Sequence, residues 1–358
     1  MHNVLQVGLQ WWDTWQGQSV NRRILSALLT VGALSVLAKM ASAAKDLVVA
    51  YQFGVGDELD AFLMAFLIPS FAINLVGGSL NAALIPTYIQ VRNQEGMAAA
   101  ENLYASVLLG SLFLLFATSV ILFVAGPFLL RLVAVGFPHE KLALTGSLYN
   151  ALLPCLLLSG LATAWGAILN AHKRFTLAAV TPAITALITI LVFLALHSTV
   201  KIYALAIGVV AGMVCEAAFI GWGVNREGLR FLPGWSGMTP ALKTVWYQYT
   251  PMLAGAALIG GTQVVGQIMA ASLGSGSVSI LSYGNKIPML LLGVSSIAAS
   301  TAVLPYFSEM VAAGQWNEIR HTLFTYARLI AAVTIPLTVI LVAFSEPIVR
   351  LLFELSPL

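Results

Sequence analysis

The stretch AKMASAAKDLVVAYQFGVGDELDAFLMAFLIPSFAINLVGGSLNAALIP, residues 38–86, decides the fold. Most of it is apolar enough for the hydrocarbon core of a bilayer, yet it carries Lys39, Lys45, Asp46 and Asp60. A Lys or Asp at mid-membrane costs roughly 2.5–3.5 kcal/mol on insertion scales, so four of them in such surroundings mark candidate functional positions.

Working outward, the same character fills the chain. Of 358 residues 59% are hydrophobic and only 9% charged, and the mean hydropathy is +0.91, far outside the balance of a soluble domain. Apolar windows of about 20 residues recur, each long enough to cross roughly 30 Å of hydrocarbon and too long for barrel strands. The expected fold is therefore an all-α polytopic membrane protein. Nine spans are expected, at 24–53, 60–90, 102–126, 143–171, 175–197, 202–224, 246–273, 277–308 and 322–344. Pro69, Pro154, Pro182 and Pro288 fall inside them and predict kinks. Residues 1–21 read as an interfacial or disordered lead-in, since Trp11, Trp12 and Trp15 favour the headgroup level, and Arg22 and Arg23 follow them instead of preceding an apolar run as in a secretory signal.

An internal repeat organises the spans. Shifting the chain by 219 lays Pro69 on Pro288 and Pro86 on Pro305. It also matches GVGDELDAFLMAFLIP (54–69) with GSGSVSILSYGNKIP (274–288) and AALIPTY (82–88) with TAVLPYF (301–307). GPFLLRLV (126–133) meets EPIVRLLF (346–353) at nearly the same offset. Six spans separate the copies, an even number, so the repeats are parallel, a recurrent transporter design. This predicts an N-terminal lobe over 22–243 with spans one to six, and a partial C-terminal lobe over 244–358 with spans seven to nine: one complete six-helix repeat and half of a second. The expectation is a chain incomplete relative to its own architecture. With the N-terminus cytoplasmic, nine loop or span-end Lys and Arg lie inside (Arg22, Arg23, Arg92, Lys173, Arg174, Arg226, Arg230, Lys243, Arg320) against four outside (Arg131, Lys141, Lys201, Arg350). The positive-inside rule favours that orientation.

The intramembrane charges divide by geometry. Lys39 and Asp46, seven apart, lie nearly on one helix face, whereas Lys45 points about 100° from Asp46 and has no need to pair with it. Counted at about 1.5 Å per residue from the outer ends, Lys45 lies roughly 12 Å deep, Lys39 roughly 21 Å and Lys286 roughly 14 Å. Lysines at one level in a water-filled cavity suit a diphosphate headgroup, with Lys acting as a point charge. The structural alternative is a bundle-stabilising Lys39–Asp46 pair with Lys286 reaching the interface. Asp60 either joins the substrate site or favours the N-terminus of helix two. Glu216 in span six is either a packing residue or an ion-coupling carboxylate. Gly77 and Gly78 offer a flexible point in helix two, or alternatively a close helix contact.

No Walker A, GxSxG, HExxH or CxxC motif occurs, so neither an enzyme nor a nucleotide-driven pump is read here. Cys155 and Cys215 sit in apolar segments, and the five histidines share no ligand spacing; no metal and no cofactor are expected. A net charge of +3 with scattered basic residues gives no reading for nucleic acid.

The runs LAKMASAAKDLVVAYQFGVGDELDAFLMAFLIPS (37–70), ALIPTY (83–88), SVSILSYGNKIPMLLLGVSSIAASTAVLPYFSEM (277–310) and FSEPIVRLLFE (344–354) resemble MviN/MurJ-type lipid flippases. That family belongs to the multidrug/oligosaccharidyl-lipid/polysaccharide exporter superfamily. The resemblance implies a multi-pass protein of the bacterial cytoplasmic membrane that moves undecaprenyl-diphosphate-linked saccharides from the inner to the outer leaflet. Carried over by position, the family's first-helix Arg, Arg-Asp pattern becomes Lys39, Lys45 and Asp46, and its aspartate opening helix two becomes Asp60. The Arg of its Tyr-Ala-Asp-Arg-Leu pattern becomes Lys286, with Asn285 in place of the Asp. The sequence departs where the family carries an Arg-Arg pair and a Glu-Gly in helix two, reading AINLVGGSL (72–80), and where a helix-seven aspartate is Gln267. These departures leave lipid II and an exopolysaccharide repeat unit as competing substrates. A cation-coupled multidrug exporter of the same superfamily and a non-transporting membrane scaffold are the readings from other classes. The implied partners are a polyprenyl-diphosphate-linked saccharide and membrane lipid. The protein is expected to act as a monomer, without nucleotide, coupled to membrane potential or a monovalent ion.

Overall fold

A computed structural model describes residues 20–172, 174–229, 232–286, 288–289, 316–344 and 346. The lead-in at 1–21, all but its last two residues, and most of the expected span 277–308 lie outside the described residues. So do Pro305 and the segment 347–358.

The described chain is helical, with α1 at Val20–Phe53, α2 at Asp57–Ile73, α3 at Ser79–Glu95 and α4 at Met97–Val133. Next come α5 at His139–Leu152, α6 at Pro154–Ala171, α7 at Phe175–Val200 and α8 at Tyr203–Arg226. Then follow α9 at Pro240–Ala271, α10 at 277–286 and α11 at Trp316–Ala343. Seven segments among the described residues are long and apolar enough to cross a membrane. These are Asp57–Glu95, Met97–Val133, His139–Ala171, Phe175–Val200, Tyr203–Arg226, Pro240–Ala271 and Arg320–Ile340. Of the other two expected spans, 24–53 lies on α1 and 277–308 begins with α10.

Two compact units are present. The first combines α1 up to Asp46 with Val55–Ser279; the second combines Leu47–Gly54 with the residues from Ile280 onward. In the first unit, successive spans run antiparallel. α2 and α3 form one rod interrupted by a π-helical turn at Asn74–Gly78. Gly54 at φ 58° reverses the chain before α2, and Asp57, Glu58 and Asp60 place negative charge against the dipole of its first turn. Pro154 opens α6 after a one-residue break, a position where its missing N–H leaves no bond unmade. At Pro182 the carbonyl freed four residues earlier, on Ala178, accepts the Thr181 hydroxyl at 2.9 Å.

A large apolar core lies toward the end of the bundle where α3 stops and α4 begins. Leu84 and Tyr88 of α3, Tyr104 and Leu108 of α4, Leu169 of α6, Val224 of α8 and Val245 of α9 are all buried there. Thr239 starts α9 there, its Oγ1 accepting from the N–H of Leu242 at 3.2 Å. The loop before it is pinned to α4 by Gly234 N–H to the Ala105 carbonyl and Ser236 N–H to Ser106 Oγ, both at 3.1 Å. α7 and α8 approach each other backbone to backbone. A Cβ at Gly208 would stand 2.9 Å from the Thr189 carbonyl, and one at Gly212 2.7 Å from that of Thr185.

Candidate functional site

α1 carries the cationic positions. Lys39 is half-buried and, among the described residues, holds no ion-pair partner. Lys45 Nζ lies 3.2 Å from Asp46 Oδ1, with both side chains about three-quarters buried. The helical angle left this pair open, and the ammonium on its flexible four-carbon stem reaches the adjacent carboxylate all the same. Lys286 closes α10 in the second unit.

Asp60 is fully buried, at the opposite end of the first unit from the aromatic core. Its Oδ1 accepts the Ser279 N–H at 2.8 Å and the Ser279 hydroxyl at 2.7 Å; its Oδ2 accepts the Gly276 N–H at 2.7 Å and Lys141 Nζ at 2.9 Å. Lys141 also reaches Asp57 Oδ1 at 2.6 Å and stands 4.0 Å over the Phe137 ring. Asp60 therefore caps the N-terminus of α10 from another helix, satisfying two donors that helix geometry leaves unbonded. A carboxylate with no exposed surface and four donors around it has nothing left to offer a substrate in this conformation. Its place is a clamp holding α2, α5 and the start of α10.

Sequence reasoning counted Lys141 as an outer loop charge and missed this role. The signal was available: Lys141, Thr145, Leu148 and Leu152 fall on one helical stripe, and all four are buried.

Gly77 and Gly78 lie in the π turn. A Cβ at Gly77 would meet the Thr163 side chain, its Cγ2 nearest at an ordinary 3.4 Å, and one at Gly78 would meet nothing within 4 Å. Close packing thus does not require either glycine. In the turn the Val76 carbonyl accepts both the Ser79 N–H and the buried Tyr249 hydroxyl of α9, the latter at 3.3 Å. π turns of this kind gather at functional sites. Gln267, also on α9, is buried with its Oε1 unbonded among the described residues. Glu216 faces α7 and accepts the Thr185 hydroxyl, a partner that sequence reasoning did not name. No group of three or more His, Cys, Asp or Glu fit to hold a metal occurs among the described residues.

At the other end, Tyr88 is hydrogen-bonded to His172 Nε2 at 2.8 Å, and Arg92 donates to the Ala171 carbonyl at 3.1 Å. Together they tie α3 to the turn between α6 and α7. Burial lowers the pKa of the His172 imidazole, and Arg92 lowers it further.

A family model described as "Lipid II flippase MurJ" matches residues 49–356. The chain belongs to the MurJ lipid II flippase family. A relative from Rhizobium meliloti (strain 1021), described as "Probable lipid II flippase MurJ", is 27% identical over 344 residues, covering 92% of this chain and 63% of its own length. The chain thus spans a little under two thirds of that relative. Among solved structures, "Lipid II flippase MurJ, inward closed conformation" matches at a TM-score of 0.73 and 22% identity, over 91% of this chain and 68% of that one. An inward-facing multidrug resistance MATE transporter of the MOP superfamily matches at 0.72 and 16%, over 92% and 76%. Both share the fold.

Proposed function

We propose that the chain carries a polyprenyl-diphosphate-linked saccharide of the lipid II type from the inner to the outer leaflet of the bacterial cytoplasmic membrane, by alternating access. The observation that carries this reading is the family match across residues 49–356. The cations on α1 support it: Lys39 and Lys45 offer positive charge where an organic-cation exporter would be expected to offer carboxylates. Substrate diphosphate meets these lysines, and Lys45 exchanges its Asp46 partner for phosphate oxygen. The Asp60 clamp closes the outer end, and the π turn lets the rod of α2 and α3 bend when that end opens. The N-terminus is cytoplasmic, the working unit is a monomer, and the drive is membrane potential or a monovalent ion without a bound cofactor.

The test is a leaflet-accessibility assay in proteoliposomes with three cargoes: lipid II, a lipid-linked exopolysaccharide unit and an organic cation. Lipid II translocation that falls about tenfold or more in Lys39→Ala/Lys45→Ala is expected, the loss of one or two charge-assisted contacts. Transport of the organic cation alone overturns the reading in favour of a multidrug exporter. Preference for the exopolysaccharide lipid overturns its substrate.

A further inference from the structure

α8 carries Gly208, Gly212 and Glu216 at intervals of four, and α7 carries Thr181, Thr185 and Thr189 at the same interval. The two stripes meet in the backbone-to-backbone contact that the glycines permit. Glu216 lies thirteen residues from Tyr203 and ten from Arg226, roughly 20 and 15 Å from the two ends of α8. It is a carboxyl at mid-span, and among the described residues it has no cationic partner within ion-pair distance.

The Thr185 hydroxyl faces two acceptors, Glu216 Oε2 and the Gly212 carbonyl, the latter at 3.4 Å. It has one hydrogen to give and lone pairs to accept with. With Glu216 ionised, that hydrogen goes to Oε2. With Glu216 protonated, the carboxyl O–H donates to Thr185 Oγ1 and the hydroxyl hydrogen turns to the Gly212 carbonyl. Either state is satisfied by rotating one bond, with no shift of either helix. We propose that Glu216, Thr185 and the Gly212 carbonyl form a proton-binding site within the α7–α8 seam.

Proton loading neutralises a charge whose presence in hydrocarbon is costly. A metal cation fits poorly, because hard cations gather roughly six or more oxygens and the seam offers one carboxylate, one hydroxyl and one helical carbonyl. The ionisable groups on the elements packed around Glu216 stand away from it. α7 has only His197, in its last turn, and α6 only Cys155, in its first. α5 has His139, Glu140, Lys141 and Tyr149, the first three in its opening turn. On α8 itself, Tyr203 and Arg226 are terminal and Cys215 points about 100° away.

The test is infrared difference spectroscopy of the whole 358-residue chain in lipid nanodiscs, titrated from roughly pH 4 to 9. A protonated-carboxyl C=O band that shifts in D2O and is lost in Glu216→Gln is expected. In Thr185→Val the band should move to higher frequency, as befits a carboxyl deprived of its acceptor, while Thr185→Ser leaves it in place. A spectrum in which E216Q removes no such band overturns the site, and so does a band unmoved by T185V. If E216Q fails to accumulate, the contrast between T185V and T185S decides the matter alone. The readout needs no lipid-linked cargo, so a failed flipping assay leaves this site standing, and a failed spectrum leaves the flippase reading standing.

Discussion

Asp60 and Ser279 are bonded to each other, and they stand 219 residues apart. That separation is the offset that lays Pro69 on Pro288, so the clamp joins two equivalent positions of the repeat. A Ser at one equivalent position and an Asp at the other make the pair complementary, where two aspartates would repel.

Asp60→Asn should loosen this end. The amide NH2 would face donors, leaving some of the Gly276, Ser279 and Lys141 hydrogens unbonded in a buried place. Breaking a buried charged pair from one side costs roughly 3–5 kcal/mol. Hydrogen exchange at residues 57–60 and 276–279 is expected to accelerate while exchange around Tyr104 and Leu108 stays slow. Uniform acceleration, or none, would contradict the clamp.

Gly77→Ala/Gly78→Ala should accumulate as folded protein, because the added methyl groups meet at most an ordinary contact with Thr163. Ala stiffens the backbone by about 0.5–1 kcal/mol per position, so translocation is expected to slow while thermal stability holds or rises. Loss of folded protein would show that the glycines serve packing after all.

Acid should weaken the tie between α3 and the α6–α7 turn. Burial, then Arg92, places the folded-state pKa of His172 below the unfolded value of about 6.5, while Glu101 and Glu227 oppose and Arg174 adds to the lowering. The unfolded chain then binds more protons. This contribution to stability is complete above about 6.5 and is lost as pH falls through that value toward the folded pKa. Melting temperature measured against pH should flatten over this window in His172→Asn, and an unchanged slope would remove His172 from the account.

Lys45→Ala should impair translocation more than Arg320→Ala. Lys45 lies within α1 beside Asp46, whereas Arg320 is an exposed residue in the first turns of α11. Equal activities in the proteoliposome assay would argue against a diphosphate contact at Lys45.

The spans were legible in the sequence because lipid demands long apolar windows, and Asp57–Glu95 announces itself by length alone. What windows cannot carry is which polar residue meets which. Lys45 and Asp46 were read as diverging, since helical angle describes Cβ directions and says little about where a flexible ammonium ends. Asp60 read equally well as substrate contact or helix-starting charge; only the placement of Ser279 and Gly276 beside it distinguishes the two. Lys141 was hidden by a tally of loop charges, although its stripe with Thr145 and Leu148 was there to be read. The π turn had no sequence signal beyond its paired glycines, and the Tyr249 hydroxyl that bonds it lies 173 residues away.

That distant tie has an evolutionary corollary. The Val76 carbonyl already accepts the Ser79 N–H, so the Tyr249 phenol takes up its second lone pair. Phenylalanine at 249 would leave that carbonyl bonded and remove only the link from α9 to the turn. Over evolutionary time, position 249 and the length of the segment at 74–78 can therefore drift separately, at the cost of that one bond.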